Sequence, residues 1–81
     1  MYEVKVNNNP NRFYDATEVI GAIPELSREA VEKFLKDYAA KGPRYAGAEI
    51  VDFEVDEDHK GYADCAIMVQ GRMECFDIAP K

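Results

Sequence analysis

The chain has 81 residues, of which 47% are hydrophobic and 32% charged, a composition that indicates one folded domain over residues 1–81 and not a disordered segment. Its 16 acidic and 10 basic residues give a formal net charge of −6, which disfavours direct binding of nucleic acid because clustered Lys and Arg carry that affinity. No apolar run reaches the roughly 20 residues of a membrane helix and the N-terminus lacks a secretory signal, so we expect a soluble, cytoplasmic protein without a membrane partner.

The N-terminal residues alternate as in a β-strand, which we place at residues 2–6. The apolar positions that share one face are Tyr2, Val4 and Val6. Residues 7–11, Asn-Asn-Asn-Pro-Asn, are a strong turn signal because Asn tolerates left-handed backbone and Pro fixes φ. Residues 12–14 are compatible with a short return strand.

The next segment carries a local helix signal. Asp15 and Glu18 have the spacing of a capping box, with Asp in the place of Ser or Thr. This spacing predicts a short helix at about residues 16–20, which Gly21 would end.

The main helix is predicted at about residues 27–41. Ser27 is a good N-cap, Lys41 lies in the last turn, and Gly42 with Pro43 stops the helix. Apolar residues recur at helical spacing and form one stripe, which predicts that the helix packs against a single layer, a sheet. The members of the stripe are Ala30, Val31, Phe34, Leu35, Tyr38 and Ala39.

The C-terminal half predicts a three-stranded meander with strands at 48–56, 62–69 and 72–79. In the first hairpin, a short loop ending on Gly61 sets three apolar pairs on one face, which is what fixes strand register. These pairs are Val51 with Ile67, Phe53 with Cys65, and Val55 with Ala63. The same register places Glu54 near Asp64 and Asp56 near Tyr62 on the other face, with Ile50 and Met68 at one end.

The last hairpin has two possible registers. A two-residue loop, Gln70-Gly71, sets Cys65 opposite Phe76 and puts the two cysteines on opposite faces. A three-residue loop that includes Val69 sets Cys65 opposite Cys75. Both loop lengths are common, and in either case we expect free thiols, because cytosolic proteins keep cysteines reduced.

Taken together, the elements predict an α+β fold. It has an antiparallel sheet of three to four strands in β-α-β-β-β order, with the helix at about 27–41 packed on one face. The other face of an antiparallel sheet is free to meet water, and here that face carries the acids.

The sequence contains few side chains that could act as a nucleophile with a neighbouring base, so we expect a protein that is not an enzyme. Ser27 and Thr17 are better explained by helix starts, and the only nucleophile–base pair is Cys65 with His59, of which Cys65 is predicted to point into the core. Paired carboxylates are plentiful, but acid–base catalysis needs a cleft that desolvates one of them. A meander covered by one helix offers little concavity.

Residues 56–61 begin like a calcium-binding loop, with acids at the first and third places and Gly at the sixth. Lys60 at the fifth place and Ile67 at the twelfth lack the oxygen ligands that hold the ion. We interpret the segment as an acidic hairpin turn and expect no metal and no cofactor.

The whole charge imbalance lies in residues 49–64, which hold seven acids against one base. Acids on an outer sheet surface serve solubility, but their concentration in one segment also creates a field that selects basic partners. The predicted partner-binding residues are Asp52, Glu54, Asp56, Glu57, Asp58, Tyr62 and Asp64. Tyr62, with Tyr14 and Tyr45, would supply aromatic anchors.

A compact acidic domain without catalytic equipment suits a stoichiometric inhibitor that occupies the basic surface of a nucleic-acid-handling protein. Small phage and mobile-element inhibitors, anti-CRISPR proteins among them, often have this size and charge, although the chain shares no motif with them. The alternative is a structural or accessory subunit that self-associates, for example as a homodimer, through exposed strand edges or the Ile50/Met68 end.

Overall fold

A computed structural model describes residues 1–7 and 18–81, in which one helix packs on an antiparallel sheet. The α+β class and the position of the helix on one face agree with the sequence-based prediction. The strand count and the β-α-β-β-β order were wrong, because the sheet has five strands and not three or four, and a second strand precedes the helix. The elements are β1 (Tyr2–Asn7), β2 (Glu18–Ile23), α1 (Arg28–Lys41), a 3-10 turn (Pro43–Tyr45), β3 (Glu49–Val55), β4 (Ala63–Val69) and β5 (Arg72–Pro80).

The strands lie in the order β2-β1-β5-β4-β3, and every neighbouring pair is antiparallel. The N- and C-terminal strands therefore pair in the middle of the sheet, while β2 and β3 lie at its edges. Helix α1 connects these two edges across one face, which we call the inner face. In the ranges that the structure describes, no helix is long and apolar enough to cross a membrane.

Strand β1 forms as predicted, but the short helix at 16–20 was wrong. Residues 18–20 belong to β2, which pairs with β1 through a bulge between Val4 and Lys5. The capping-box spacing is a local signal, and tertiary pairing of an apolar, β-branched segment with β1 outweighs it. Of the turn predicted at 7–11, Asn7 belongs to β1 and the other residues lie outside the described ranges, as does the return strand predicted at 12–14.

Gly21 has a packing role in β2 and does not end a helix. It lies opposite Val4 on the inner face, where a Cβ atom would overlap the ring of Phe34. Gly21→Ala is therefore expected to lower the free energy of unfolding by about 1–3 kcal/mol. Gly42→Ala is the matched control, since its Cβ would meet nothing within 4 Å. Urea denaturation measures both, and equal stabilities would show that Phe34 moves away freely.

Helix α1 agrees with its predicted bounds, and its N-cap is as expected. The Ser27 Oγ accepts a hydrogen bond from the Ala30 backbone N–H at 3.1 Å, which satisfies one of the free donors at the helix start. Val31 and Leu35 are buried against the sheet. The apolar stripe thus lies on the inner face, and the charged residues of the helix face solvent.

A chain of aromatic rings joins the helix to the sheet. Ring centroids lie 5.9 Å apart between Phe34 and Tyr38, 5.1 Å between Tyr38 and Tyr45, and 5.6 Å between Tyr45 and Phe76. Tyr45 is only 1% exposed, and its hydroxyl donates a hydrogen bond to a Glu74 carboxylate oxygen at 3.2 Å. Tyr45 therefore belongs to the core, and its prediction as a partner-binding anchor was wrong.

The β3–β4 register agrees with the prediction at two of three apolar pairs. Phe53 lies opposite Cys65, but a bulge between Ile50 and Asp52 places Ile50, and not Val51, opposite Ile67. Ile50 is consequently buried. Its predicted place beside Met68 on the surface was wrong, and Glu49 pairs with Met68 instead.

The β4–β5 hairpin uses the two-residue loop. Gln70 and Gly71 both have left-handed backbone, with φ of 52° and 80°, as a type I′ turn requires. Val69 then pairs with Arg72 and Cys65 with Phe76. The two cysteines are free, and this register puts them on opposite faces of the sheet.

Candidate protein-binding surface

The face of the sheet opposite α1, which we call the outer face, carries a row of carboxylates. Glu54 on β3 lies opposite Asp64 on β4, and Asp64 lies opposite Asp77 on β5. We call these three residues the carboxylate row. Lys5 on β1 continues the row as the cross-strand partner of Asp77. Asp52, two residues before Glu54 on β3 and therefore on the same face, lies opposite Ala66.

The part of this row on β4 and β5 is partly withdrawn from water. Asp77 is 7% exposed and accepts a hydrogen bond from the Asn7 side-chain amide at 3.1 Å. Burial is the main reason why the pKa of Asp64 is raised from its ordinary value. The negative charge of the neighbouring Asp77 makes the next contribution, followed by those of Asp56 and Asp52. Like charges directly opposite each other destabilise a sheet, so this row has a stability cost.

Removing one charge from the row is expected to stabilise the fold. Because the pKa of Asp64 is raised on folding, the folded protein keeps a proton that the unfolded chain releases, and stability falls as pH rises above about 4 until Asp64 is ionised. Asp64→Asn removes this loss and should raise the free energy of unfolding at pH 7 by up to about 1 kcal/mol. Glu57→Gln, at an exposed turn position, is the control. Thermal unfolding between pH 4 and 7 measures the effect, and a steeper pH dependence in Asp64→Asn would contradict it.

The turn between β3 and β4 is held by Asp56. One of its carboxylate oxygens accepts hydrogen bonds from the backbone N–H groups of Asp58 at 2.9 Å and His59 at 3.2 Å, and the other lies 3.1 Å from His59 Nδ1. The Tyr62 ring packs edge-on against His59, with centroids 6.2 Å apart. Asp56 and Tyr62 therefore shape the turn, while Glu57 and Asp58 project from it into solvent.

The turn and the carboxylate row meet in one shallow depression of about 450 Å³. Its lining residues are Glu54, Val55, Asp56, Glu57 and Asp64. Four of the seven residues predicted to bind a partner thus share one concavity. Asp52 lies next to it on β3 and Asp58 at the tip of the turn, whereas Tyr62 is half-buried beside His59.

Sequence reasoning missed two features of the outer face. One is Asp77, whose place beside Asp64 follows from the two-residue loop that the sequence left open. The other is an apolar group beside the carboxylate row, of which the sequence had placed only Met68 on this face; Met68 is 38% and Met73 61% exposed. We call it the apolar patch. It consists of the cross-strand pairs Ala66–Cys75 and Met68–Met73.

The candidate nucleophiles and bases in the described residues are poorly placed for nucleophilic catalysis. Cys65 is buried on the inner face, and burial raises the pKa of its thiol to about 12, so the reactive thiolate is scarce at neutral pH. His59 is exposed in the turn, and Ser27 is used as the helix cap. Thr17 lies outside the described residues.

A metal or cofactor would need converging ligands. Among residues 1–7 and 18–81, no three His, Cys, Asp or Glu side chains converge on a point where an ion could bind. No family model, curated protein or solved structure matches the chain.

Proposed function

We propose that the chain is a non-enzymatic binding module whose outer face occupies a basic surface of another protein. The observation that supports this most is the carboxylate row, which places like charges side by side at a cost in stability. Solubility alone is served by fully exposed acids at edges and turns. Positions where a protein breaks a rule of stability are expected to be functional ones.

The arrangement of the carboxylates indicates what kind of basic surface a partner would present. A run of carboxylates across neighbouring strands, spaced about 5 Å apart, presents a line of negative charge from Glu54 to Asp77, beyond which Lys5 follows on β1. Proteins that handle nucleic acids present grooves of Lys and Arg to phosphate backbones. We therefore propose that the target is such a protein and that the chain inhibits it by filling its groove. Electrostatic steering would accelerate the encounter.

Self-association is the alternative function, and the outer face argues against it. Two copies meeting through this face would bring their carboxylates together, and like-charge contact costs several kcal/mol. Ile50, which would have helped to form an apolar end, is buried in the core. A homodimer would accordingly have to form through the edge strands β2 and β3.

Differential capture tests the proposed function. The wild-type chain and the Asp52→Lys/Glu54→Lys variant are immobilised in parallel, exposed to lysate and eluted with rising salt, and the eluates are identified by mass spectrometry. We expect basic, nucleic-acid-binding proteins that the wild type retains and the variant loses, and expect the purified chain to displace DNA or RNA from them. The same captured proteins on both columns, or no displacement, would refute the proposal.

A further inference from the structure

The outer face combines two kinds of surface. The apolar patch lies at the hairpin end of β4 and β5, where Met68 and Met73 face each other. Carboxylates border it on two sides. Glu49 and Asp52 flank it along β3, opposite Met68 and Ala66, and the carboxylate row crosses the strands at its other end. An apolar centre with a charged border is the usual anatomy of a protein interface.

A groove joins the two surfaces. It has a volume of about 180 Å³, and its lining includes Asp52 and Asp64 from the acidic border together with Ala66 and Cys75 from the apolar patch. A ligand that enters this groove therefore contacts apolar and acidic groups at the same time. A uniformly basic ligand would leave the apolar patch exposed to water, and a uniformly apolar one would bury carboxylates without partners, which is costly.

We infer that the ligand of the outer face is a basic amphipathic helix of the partner protein, with its apolar stripe on Met68 and Met73 and its flanking Lys or Arg side chains on the carboxylates. The inference rests on the proposed function, whose partner it specifies. Unbranched methionine side chains adapt to the shape of such a stripe. Grooves that bind amphipathic helices use the same combination of apolar contact and charged flank.

The dimensions fit one helix. Asp64 and Met68 are four residues apart on β4, which corresponds to about 14 Å at the strand rise of 3.4 Å. Strands β3 and β5 are two spacings apart, or about 10 Å, close to the width of a helix with its side chains. About ten helical residues, a length of about 15 Å, span the surface. A second copy of this chain does not fit, because it would place carboxylates against carboxylates.

Two synthetic peptides test the inference. Each has about 15 residues of the same Leu and Lys composition, but one gathers its Leu residues in one helical stripe and the other spreads them around the helix. Their affinities for the whole chain are measured by fluorescence anisotropy. The proteins are the wild type, Met68→Ser/Met73→Ser and Asp52→Lys/Glu54→Lys. Val19→Ser is the matched control, because Val19 is exposed on the outer face beside Lys5, away from the patch.

We expect the wild type and Val19→Ser to bind the striped peptide about tenfold more tightly than the other peptide. Met68 and Met73 are 38% and 61% exposed and together offer about one side chain of apolar area for burial. Met68→Ser/Met73→Ser should lose this preference, and charge reversal should weaken both peptides. If the wild type binds both peptides equally tightly and Asp52→Lys/Glu54→Lys binds neither, the helix inference is overturned and the proposed function stays intact. A preference that survives Met68→Ser/Met73→Ser would also overturn it, and binding insensitive to charge reversal would overturn both proposals.

Discussion

Reversing the charges of Asp52 and Glu54 together is expected to weaken the complex with a purified, captured partner by about a hundredfold, or about 2.7 kcal/mol. Both side chains are exposed on the outer face beside Asp64, so the variant loses two attractive contacts and adds two repulsive ones. The loss should shrink as salt is raised, because exposed charges are screened. Isothermal titration calorimetry at two salt concentrations measures it.

A second double variant with the same net charge as Asp52→Lys/Glu54→Lys distinguishes an effect of the outer face from an effect of net charge. Glu25→Lys/Glu29→Lys changes two exposed acids, one before α1 and one in its first turn, and should leave the affinity within about twofold of wild type. The Asp52→Lys/Glu54→Lys variant should also fold at least as well as wild type, since each new Lys lies near Asp64. Equal weakening by both double variants would mean that only net charge matters and that the outer face is not the binding surface.

Truncating Tyr45 to Ala is expected to lower the free energy of unfolding by about 3–5 kcal/mol, the range for buried aromatic residues. Tyr45 fills the space between Tyr38 on the helix and Phe76 in the sheet, with centroids 5.1 Å and 5.6 Å away. A domain of this length has about 4–12 kcal/mol in total, so the variant should unfold at a much lower urea concentration. Equilibrium unfolding followed by circular dichroism measures the loss.

Tyr45→Phe is the matched control for this truncation. It keeps the ring and removes only the hydroxyl that donates to Glu74, so a loss of about 1 kcal/mol is expected. Glu74 keeps an ion pair with Arg72 at 2.8 Å, which limits the effect. Equal losses for Tyr45→Ala and Tyr45→Phe would contradict the assignment of Tyr45 to the core.

The elements that could be predicted from sequence are those whose signals are local and agree with tertiary packing. Helix α1 combines a cap at Ser27, an apolar stripe and a stop at Gly42. In the β3–β4 hairpin, one register brings Phe53 and Val55 opposite Cys65 and Ala63 and so places the apolar residues of both strands on the same face. For the last hairpin the sequence left two loop lengths open, and the left-handed conformations of Gln70 and Gly71 decide between them.

The errors arose where long-range pairing decides the conformation. Strand β2 forms because its backbone pairs with that of β1. The spacing of Asp15 and Glu18 is a local signal and does not report this long-range pairing. The bulge in β3 turns Ile50 inward and leaves Val51 half-exposed. The alternation from Val51 to Val55 gives no sign of it, because the bulge adds one residue at the start of this run and changes only the phase of the residues before it.

The sequence predicted the acidic part of the candidate surface and, of its apolar part, Met68 alone. The positions of Asp52, Glu54 and Asp64 follow from the β3–β4 register, which the sequence supports. Asp77 and the apolar patch depend on how β5 pairs with β4. The paired carboxylates and exposed methionines therefore become visible only when the last hairpin is in register, and the same register supplies the argument for a mixed apolar and basic ligand.

The stability and the affinity of Asp64→Asn, measured on the same preparation, show whether this carboxylate is kept for binding at the expense of the fold. We predict a higher free energy of unfolding at pH 7 together with a several-fold weaker complex with the basic partner. A variant that is more stable and binds as tightly as wild type would contradict this prediction.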